Sequence, residues 1–274
     1  MSKEYVRCLS IAGLDPSGGA GLLADVKTFA ALGCQGMAVA TCLTVQNTLG
    51  VTGSSAVEAA LVERQLEALF ADTPPHAVKI GMTGTAATVG AIARVLDRYA
   101  PPFVVLDPVV ASSGGFALAA GDVGRALVEE LMPRCTMVAV NLDELSLAGG
   151  EPPPAGHAAA RAAAMRLAGR TGCPYILLKS GHFEETKDDV LLTRRGIAAV
   201  APGRPVATRN THGTGCTLTS AIAAWSALGL GPAEAVRAAK RYVQQALDSG
   251  RDVAAGRGHG GMNHMFAPRP AVVR

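Results

Sequence analysis

The stretch Asn210-Thr211-His212-Gly213-Thr214-Gly215-Cys216-Thr217-Leu218 is a polar, glycine-broken turn that runs straight into the apolar, alanine-rich segment Thr217 to Leu228. Such a segment reads as a buried helix, so the turn is a helix N-terminus. Gly213 and Gly215 lack a Cβ, which lets the backbone bend sharply and its N–H groups converge. The N–H groups of the first turn have no partner within the helix, and the macrodipole adds partial positive charge, so an anion is stabilised there. The same field favours a thiolate, and Cys216 is therefore expected to have a lowered pKa and to take a proton from an alcohol. The plainer reading keeps Cys216 as a small buried hydrophobe.

Upstream of this helix the chain alternates short apolar runs with helical segments. Strands are expected at Val6–Ala12, Met37–Val45, Ala77–Ile80, Phe103–Leu106, Met137–Val140 and Tyr175–Leu178. Helices are expected at Leu22–Leu32, Val57–Phe70, Ala86–Tyr99, Val123–Leu131 and Ala158–Leu167. Val190–Thr193 and Ile197–Val200, across Arg194-Arg195-Gly196, read as a hairpin, and Ala233–Leu247 as a last helix. The alternation predicts an α/β fold, a doubly wound, mainly parallel sheet with helices on both faces. Ligands bind beyond the carboxyl ends of such strands. Gly13 to Gly21, Gln46-Asn47, Gly81-Met82, Asp107, Asn141 to Glu144 and Lys179 to His182 each follow a predicted strand and belong to one rim.

With 274 residues the chain can bury a full core, and no shift in composition marks a domain boundary. Its 25 basic and 22 acidic residues leave a net charge of +3 and are interspersed, so neither a nucleic-acid nor a membrane footprint is expected. Aromatic residues, 4% of the chain, are too sparse for a base-stacking platform. The N-terminus has no long apolar core and no stretch is long enough to span a bilayer, which points to a soluble, cytoplasmic protein. Six scattered cysteines form no Cys-x-x-Cys and read as reduced core residues. His182, His212, His259 and His264 are equally scattered and give no metal-ligand pair on a helix.

Two dinucleotide-type spacings fail on context. Gly19-Ala20-Gly21-Leu22-Leu23-Ala24 follows a strand, but no Asp or Glu lies between Asp25 and Glu58 to hold a ribose. Gly256, Gly258 and Gly261 are followed by no apolar helix. No Gly-Lys dipeptide occurs, so there is no Walker A loop. On the rim, Asp107 and Glu144 are candidate Mg²⁺ carboxylates, with Glu144 equally readable as a first-turn helix acid. Lys179, after three apolar residues, is placed to neutralise phosphates, or is an ordinary strand-end lysine. Gln46 offers a donor and an acceptor together, which suits an aminopyrimidine edge, and Asp25, one turn into its helix, is expected to point back toward the rim.

Residues 210–216, Asn-Thr-x-Gly-x-Gly-Cys, resemble the Asp-Thr-x-Gly-Ala-Gly-Asp signature of ribokinase-like kinases. The string Thr211 to Leu218 looks like the branch of hydroxymethylpyrimidine/phosphomethylpyrimidine kinases and their pyridoxal-kinase relatives, in which Cys stands in for Asp. Gly13-x-Asp15-Pro16-Ser17-Gly18-Gly19-Ala20-Gly21, Asp25, Lys27-Thr28-Phe29, Gln46-Asn47-Thr48, Asn141-x-x-Glu144, Leu178 to His182 and Gly258-His259-Gly260 extend the likeness from about Leu9 to about Phe266. Leu14, Thr83, Val140 and the segment Val110 to Gly115 depart from the usual pattern.

The resemblance implies one ribokinase-like kinase domain over residues 1–266, with 267–274 a disordered tail after a loop-rich stretch from Arg251. It implies that Cys216 deprotonates the acceptor while Gly213, Thr214 and Gly215 hold the transferred phosphoryl group. Gly13, Asp25, Gln46 and Met82 would line the acceptor pocket, Lys179, Asn141, Thr211 and His212 would bind ATP, and Asp107 and Glu144 would hold Mg²⁺. The implied activity is ATP-dependent phosphorylation of 4-amino-5-hydroxymethyl-2-methylpyrimidine and then of its monophosphate, in a homodimer. Pyridoxal or pyridoxine phosphorylation and, more remotely, a non-catalytic pyrimidine or nucleotide sensor are the alternatives.

Overall fold

The structure, a computed structural model, describes residues 3–109, 122–179 and 186–274. Its elements in chain order are β1 (Arg7–Leu14), α1 (Gly21–Ala31), β2 (Gln35–Asn47), β3 (Gly50–Ala56), α2 (Ala59–Asp72), β4 (Ala77–Ile80), α3 (Ala86–Tyr99) and β5 (Val104–Leu106). Then follow α4 (Val123–Ala126), which runs on through a π-helical turn over Leu127–Leu131, β6 (Met137–Val140), α5 (Leu142–Gly149), α6 (Gly156–Thr171) and β7 (Tyr175–Leu178). The chain closes with β8 (Asp189–Thr193), β9 (Gly196–Ala201), α7 (Thr214–Ala227) and α8 (Pro232–Gly250).

The described strands form one sheet in the order β3-β2-β1-β4-β5-β6-β7-β8-β9. From β2 to β7 the pairing is parallel, and antiparallel β3, β8 and β9 occupy the edges. Every residue of β4, β5 and β6 is buried, as befits strands covered on both faces. Successive side chains part to opposite faces. Val104, Leu106, Val138 and Val140 join a core with Leu66, Ile92 and Leu145, whereas Val105, Met137 and Ala139 join one with Leu218, Ile222 and Val236. The expected alternation of strands and helices is thus present.

The chain leaves β1 for β2 on one side and later returns to pair β4 on the other. The loops after β1 and β4 therefore diverge and open a crevice at the strand ends.

Two parts differ from expectation. The strand expected to end at Val45 continues as β2 to Asn47 and turns through Thr48-Leu49 into β3, which is absent from the expected strands. Gly-Val-Thr-Gly-Ser-Ser-Ala carries no apolar alternation because this edge strand is largely exposed, so periodicity is blind to it. The C-terminal tail, expected to be disordered, is tied down instead. Val6 N donates to Val272 O at 3.1 Å, Arg274 N to Glu4 O at 2.8 Å and Val272 N to Gly33 O at 2.8 Å. The Arg269 guanidinium also stacks 4.5 Å over the Trp225 ring. Such long-range backbone pairing leaves no trace in the composition of a Pro- and Gly-rich tail.

His264 anchors this region to the core: it is 3% exposed, its Nε2 lies 3.0 Å from Thr217 Oγ1, and its carbonyl accepts from Tyr242 Oη at 2.6 Å. Burial, with Lys27 adding, pushes the imidazole from its ordinary 6.5 down to about 4. The unfolded chain takes up this proton near pH 6.5 and the folded protein only near 4, so protonation favours unfolding across that window. Denaturant unfolding of the wild type should lose on the order of 3 kcal/mol between those pH values from this group, and His264→Gln should flatten the slope by that amount. Equal slopes for the two proteins would refute the assignment.

Candidate active site

Gly213 starts α7 in the left-handed region, at φ 78°, where L side chains are strained. A Cβ on Gly213 would also strike the carbonyl oxygen of Gly19, so the entry to α7 is seated directly on the loop after β1. Among the described residues no side chain caps this helix. Thr214 N donates to the Thr211 carbonyl at 3.3 Å, and the next first-turn N–H groups have no partner within the helix and the helix dipole behind them.

Cys216 lies in that first turn and Ser220 one turn further on, hence on the same face of α7. Ser220 Oγ donates to Asp25 Oδ1 at 2.6 Å, Ser10 Oγ to Asp25 Oδ2 at 2.5 Å, and Lys79 Nζ to Asp25 Oδ2 at 2.7 Å. Lys79 and Asp25 are both 0% exposed. Burial opposes the Lys79 charge most strongly, but Asp25, Cys216 and Asp107 together outweigh it, and its pKa is raised. Lys79 was not singled out from the sequence, yet a lysine inside the four-residue apolar strand Ala77-Val78-Lys79-Ile80 was the signal available.

On the far side of Cys216, Lys179 Nζ sits 2.5 Å from Asp107 Oδ1 and 3.0 Å from Glu144 Oε2. Burial works against this ammonium as well, and the two carboxylates overcome it and raise its pKa. A Cβ placed on Gly215 would stand 3.4 Å from Asp107 Oδ2 and 3.7 Å from Lys179 Nζ, so this cluster adjoins the α7 N-terminus. Asn141 caps α5 by a reciprocal pair, its Oδ1 accepting from Glu144 N and Glu144 Oε2 from Asn141 N, both at 2.8 Å. Glu144 is therefore a first-turn acid and a member of the charged cluster at once.

On the near side, His212 Nε2 lies 2.8 Å from Asp15 Oδ2 and 3.0 Å from the Gln46 side-chain amide. Met82 is buried against Gly13, where an added Cβ would come within 2.9 Å of its sulfur. Thr211 is exposed, and its carbonyl accepts from Thr214 Oγ1 at 2.6 Å.

Residues 15–263 match the family model described as phosphomethylpyrimidine kinase. The chain belongs to the phosphomethylpyrimidine kinase family. It is 43% identical over 257 residues to the hydroxymethylpyrimidine/phosphomethylpyrimidine kinase of Rhizobium meliloti (strain 1021), over 93% of this chain and 96% of that protein. The crystal structure of phosphomethylpyrimidine kinase from Clostridium difficile 630 superposes with a TM-score of 0.78 at 33% identity, covering 88% of this chain and 99% of that one. An ADP complex of Bacillus subtilis pyridoxal kinase superposes with a TM-score of 0.85 at 27% identity, covering 96% and 99%.

Within this phosphomethylpyrimidine kinase fold, Gly13, Gln46, Met82, Asp107, Asn141, Glu144, Lys179 and the turn from Thr211 to Cys216 line the strand-end rim. Three expectations need correction. Asp25 does not reach the rim: its carboxylate is enclosed by Lys79, Ser10 and Ser220 beneath the site. His212 stands with Asp15 and Gln46, on the side expected for the acceptor rather than among Lys179 and Asn141. Cys216 does not have a lowered pKa in the ligand-free protein. Burial pushes the thiol up to about 11, Asp25 and Asp107 add to the rise, and Lys79 and the Gly21 N–H only partly offset it. Desolvation and the two carboxylates outweigh the field of the helix N-terminus at this sulfur. His182 and the segment Val110 to Gly115 lie outside the described residues.

Lys79→Met should leave the Asp25 carboxylate buried without its cation and cost about 3–5 kcal/mol in denaturant unfolding. Adding Asp25→Asn should recover part of that loss, and a single variant as stable as wild type would show that the pair is dispensable. Iodoacetamide labelling of Cys216 in the ligand-free enzyme should keep rising beyond pH 9.5, whereas a plateau below about pH 8 would reveal a preformed thiolate.

Proposed function

We propose that this protein transfers the γ-phosphoryl group of ATP to the hydroxymethyl oxygen of 4-amino-5-hydroxymethyl-2-methylpyrimidine and then to the resulting monophosphate. The observation that carries this reading is the meeting, at one crevice, of an uncapped helix N-terminus bearing Cys216 with the Asp107–Lys179–Glu144 cluster. Family membership supplies the acceptor class.

In this reading Gln46, Gly13 and Met82 hold the heteroaromatic ring with its hydroxymethyl group beside Cys216. The N–H groups of Gly213 to Cys216 meet the negative charge on the γ-phosphoryl group, and Lys179 neutralises part of the triphosphate. Phosphoryl transfer is mostly positioning and charge stabilisation, so the acceptor proton can leave late. Cys216 would take that proton only as the thiolate, a form that Lys79 beneath it favours and that becomes a neutral thiol once the proton is transferred. Two carboxylates beside a phosphate site fit Mg²⁺, which binds through one or two carboxylates plus phosphate oxygens; among the described residues no larger cluster of metal ligands exists. Held by Asp107 and Glu144, the ion would neutralise phosphate charge and the Asp107 charge that raises Cys216.

The setting we propose is a homodimer in the cytoplasm. Exposed Leu43, Val45 and Leu49 on the β2–β3 hairpin offer apolar surface for a second copy, and the six cysteines are free. Among the described residues no helix is long and apolar enough to cross a membrane.

Incubation with Mg²⁺-ATP and either the hydroxymethylpyrimidine or pyridoxal, followed by mass spectrometry, tests the reading. Pyrimidine monophosphate and then diphosphate should form, with Cys216→Ala lowering the rate by at least 10²-fold. Pyridoxal phosphate alone would move the function to vitamin B6, consistent with the overlay on pyridoxal kinase, and no product from either would leave a sensor.

A further inference from the structure

Asp15 lies in the loop after β1, 3% exposed, and its carboxylate is saturated with donors. Oδ1 accepts from Ser17 N at 2.8 Å, and Oδ2 accepts from Ser17 Oγ at 2.9 Å, from Ala20 N at 2.9 Å and from His212 Nε2 at 2.8 Å. Burial would raise the carboxyl, but the bonds from His212 and Ser17 outweigh it and bring it down to about 2. An ionised carboxylate only accepts, so the proton of this contact resides on His212 Nε2.

That assignment propagates. The Gln46 amide lies between His212 Nε2 at 3.0 Å and Thr44 Oγ1 at 3.1 Å. The single Nε2 hydrogen points to Asp15, the shorter contact, and can only be shared with Gln46; because a protonated Nε2 cannot accept from an amide N–H, the atom facing it must be the amide oxygen. On the other side the single hydroxyl hydrogen of Thr44 is directed to the Leu14 carbonyl at 2.9 Å, so the Thr44 oxygen accepts and requires the amide nitrogen. The structure records Nε2 on the His212 side and Oε1 on the Thr44 side. A half-turn of the amide exchanges them at no cost in shape, and both neighbours demand that orientation.

We propose that His212, held by Asp15, is a positioning residue for acceptor specificity that locks the Gln46 amide with its oxygen toward His212 and its nitrogen toward Thr44. This inference rests on the reading of the crevice as an acceptor site. The locked amide presents one acceptor and one donor side by side. An aminopyrimidine edge is its complement, because the exocyclic amino group donates and the adjacent ring nitrogen accepts. A pyridoxal-type acceptor offers aldehyde and phenolate oxygens, which only accept, and it satisfies half of the pair. Were His212 unable to donate, only Thr44 would orient the amide, and its hydroxyl can turn from the Leu14 carbonyl to donate to the amide oxygen, so the preference would fade.

The test uses the full chain with His212→Leu, which removes the donor, and His212→Gln, which places an amide N–H near the position of Nε2. Relative to wild type, His212→Leu should weaken binding of the hydroxymethylpyrimidine about tenfold by calorimetry without ATP, the effect of one mismatched hydrogen bond. It should narrow the pyrimidine-to-pyridoxal ratio of kcat/KM by the same factor, with the KM for ATP within about twofold, and His212→Gln should restore most of the ratio. A merely structural histidine would instead lower both acceptors equally, which would overturn the inference, as would a change confined to the KM for ATP. In ¹⁵N-resolved NMR of the wild type the proton should reside on His212 Nε2, and an unprotonated Nε2 would overturn the lock even if His212→Leu fails to fold. Wild-type protein that binds the pyrimidine with this pattern of variants but turns it over at no measurable rate upholds the lock and defeats only the kinase reading. Protein that binds neither acceptor defeats the lock.

Discussion

The ion pair between Lys79 and Asp25 is the constraint around which the site is arranged. It joins β4 to α1, and through Ser10 and Ser220 the same carboxylate also holds β1 and α7. A charge removed from water is tolerated only when its partner and remaining hydrogen bonds are in place. The four elements are therefore held to one relative placement, and that placement brings the first turn of α7 over the crevice where the connections of β1 and β4 diverge. The pair thus fixes where the helix N-terminus points, which hydrophobic contact alone does loosely.

Above this junction the site divides by charge. Toward β5, β6 and β7, Asp107, Glu144 and Lys179 form a dense polar cluster beside Gly215, suited to phosphate and its counter-ion. Toward β1 and β2, Asp15, His212 and Gln46 form a directional hydrogen-bond chain, suited to reading the edge of a ring. Cys216 lies between the two. Its thiol, raised by burial and by Asp25 and Asp107, keeps its proton in the ligand-free protein.

Much of the fold was legible from residue patterns. The fully buried strings Ala77–Ile80 and Met137–Val140 read as central parallel strands because both of their faces are covered, and Ala86–Tyr99 coincides with α3, where Thr85 caps the helix. Edge strand β3 escaped because exposure removes the apolar alternation, and the docking of the tail escaped because backbone hydrogen bonds are indifferent to side-chain type. In the site, the rim positions of Gln46, Asp107, Asn141, Glu144 and Lys179 followed from their places after predicted strands. Lys79 was overlooked because it lies within a strand, and Asp25 was misplaced because a helix position gives a direction but not a depth.

By itself the sequence determined the α/β class, the rim and the residue types gathered on it, since these depend on local periodicity, on glycine turns and on the rule that strand ends carry ligands. The tertiary structure alone decided that Asp25 supports the site from below, that His212 joins Gln46 across 166 positions of chain, and that the Cys216 thiol is raised rather than lowered. Each of these depends on desolvation and on charges supplied by distant segments, and such through-space quantities exist only once the chain has folded.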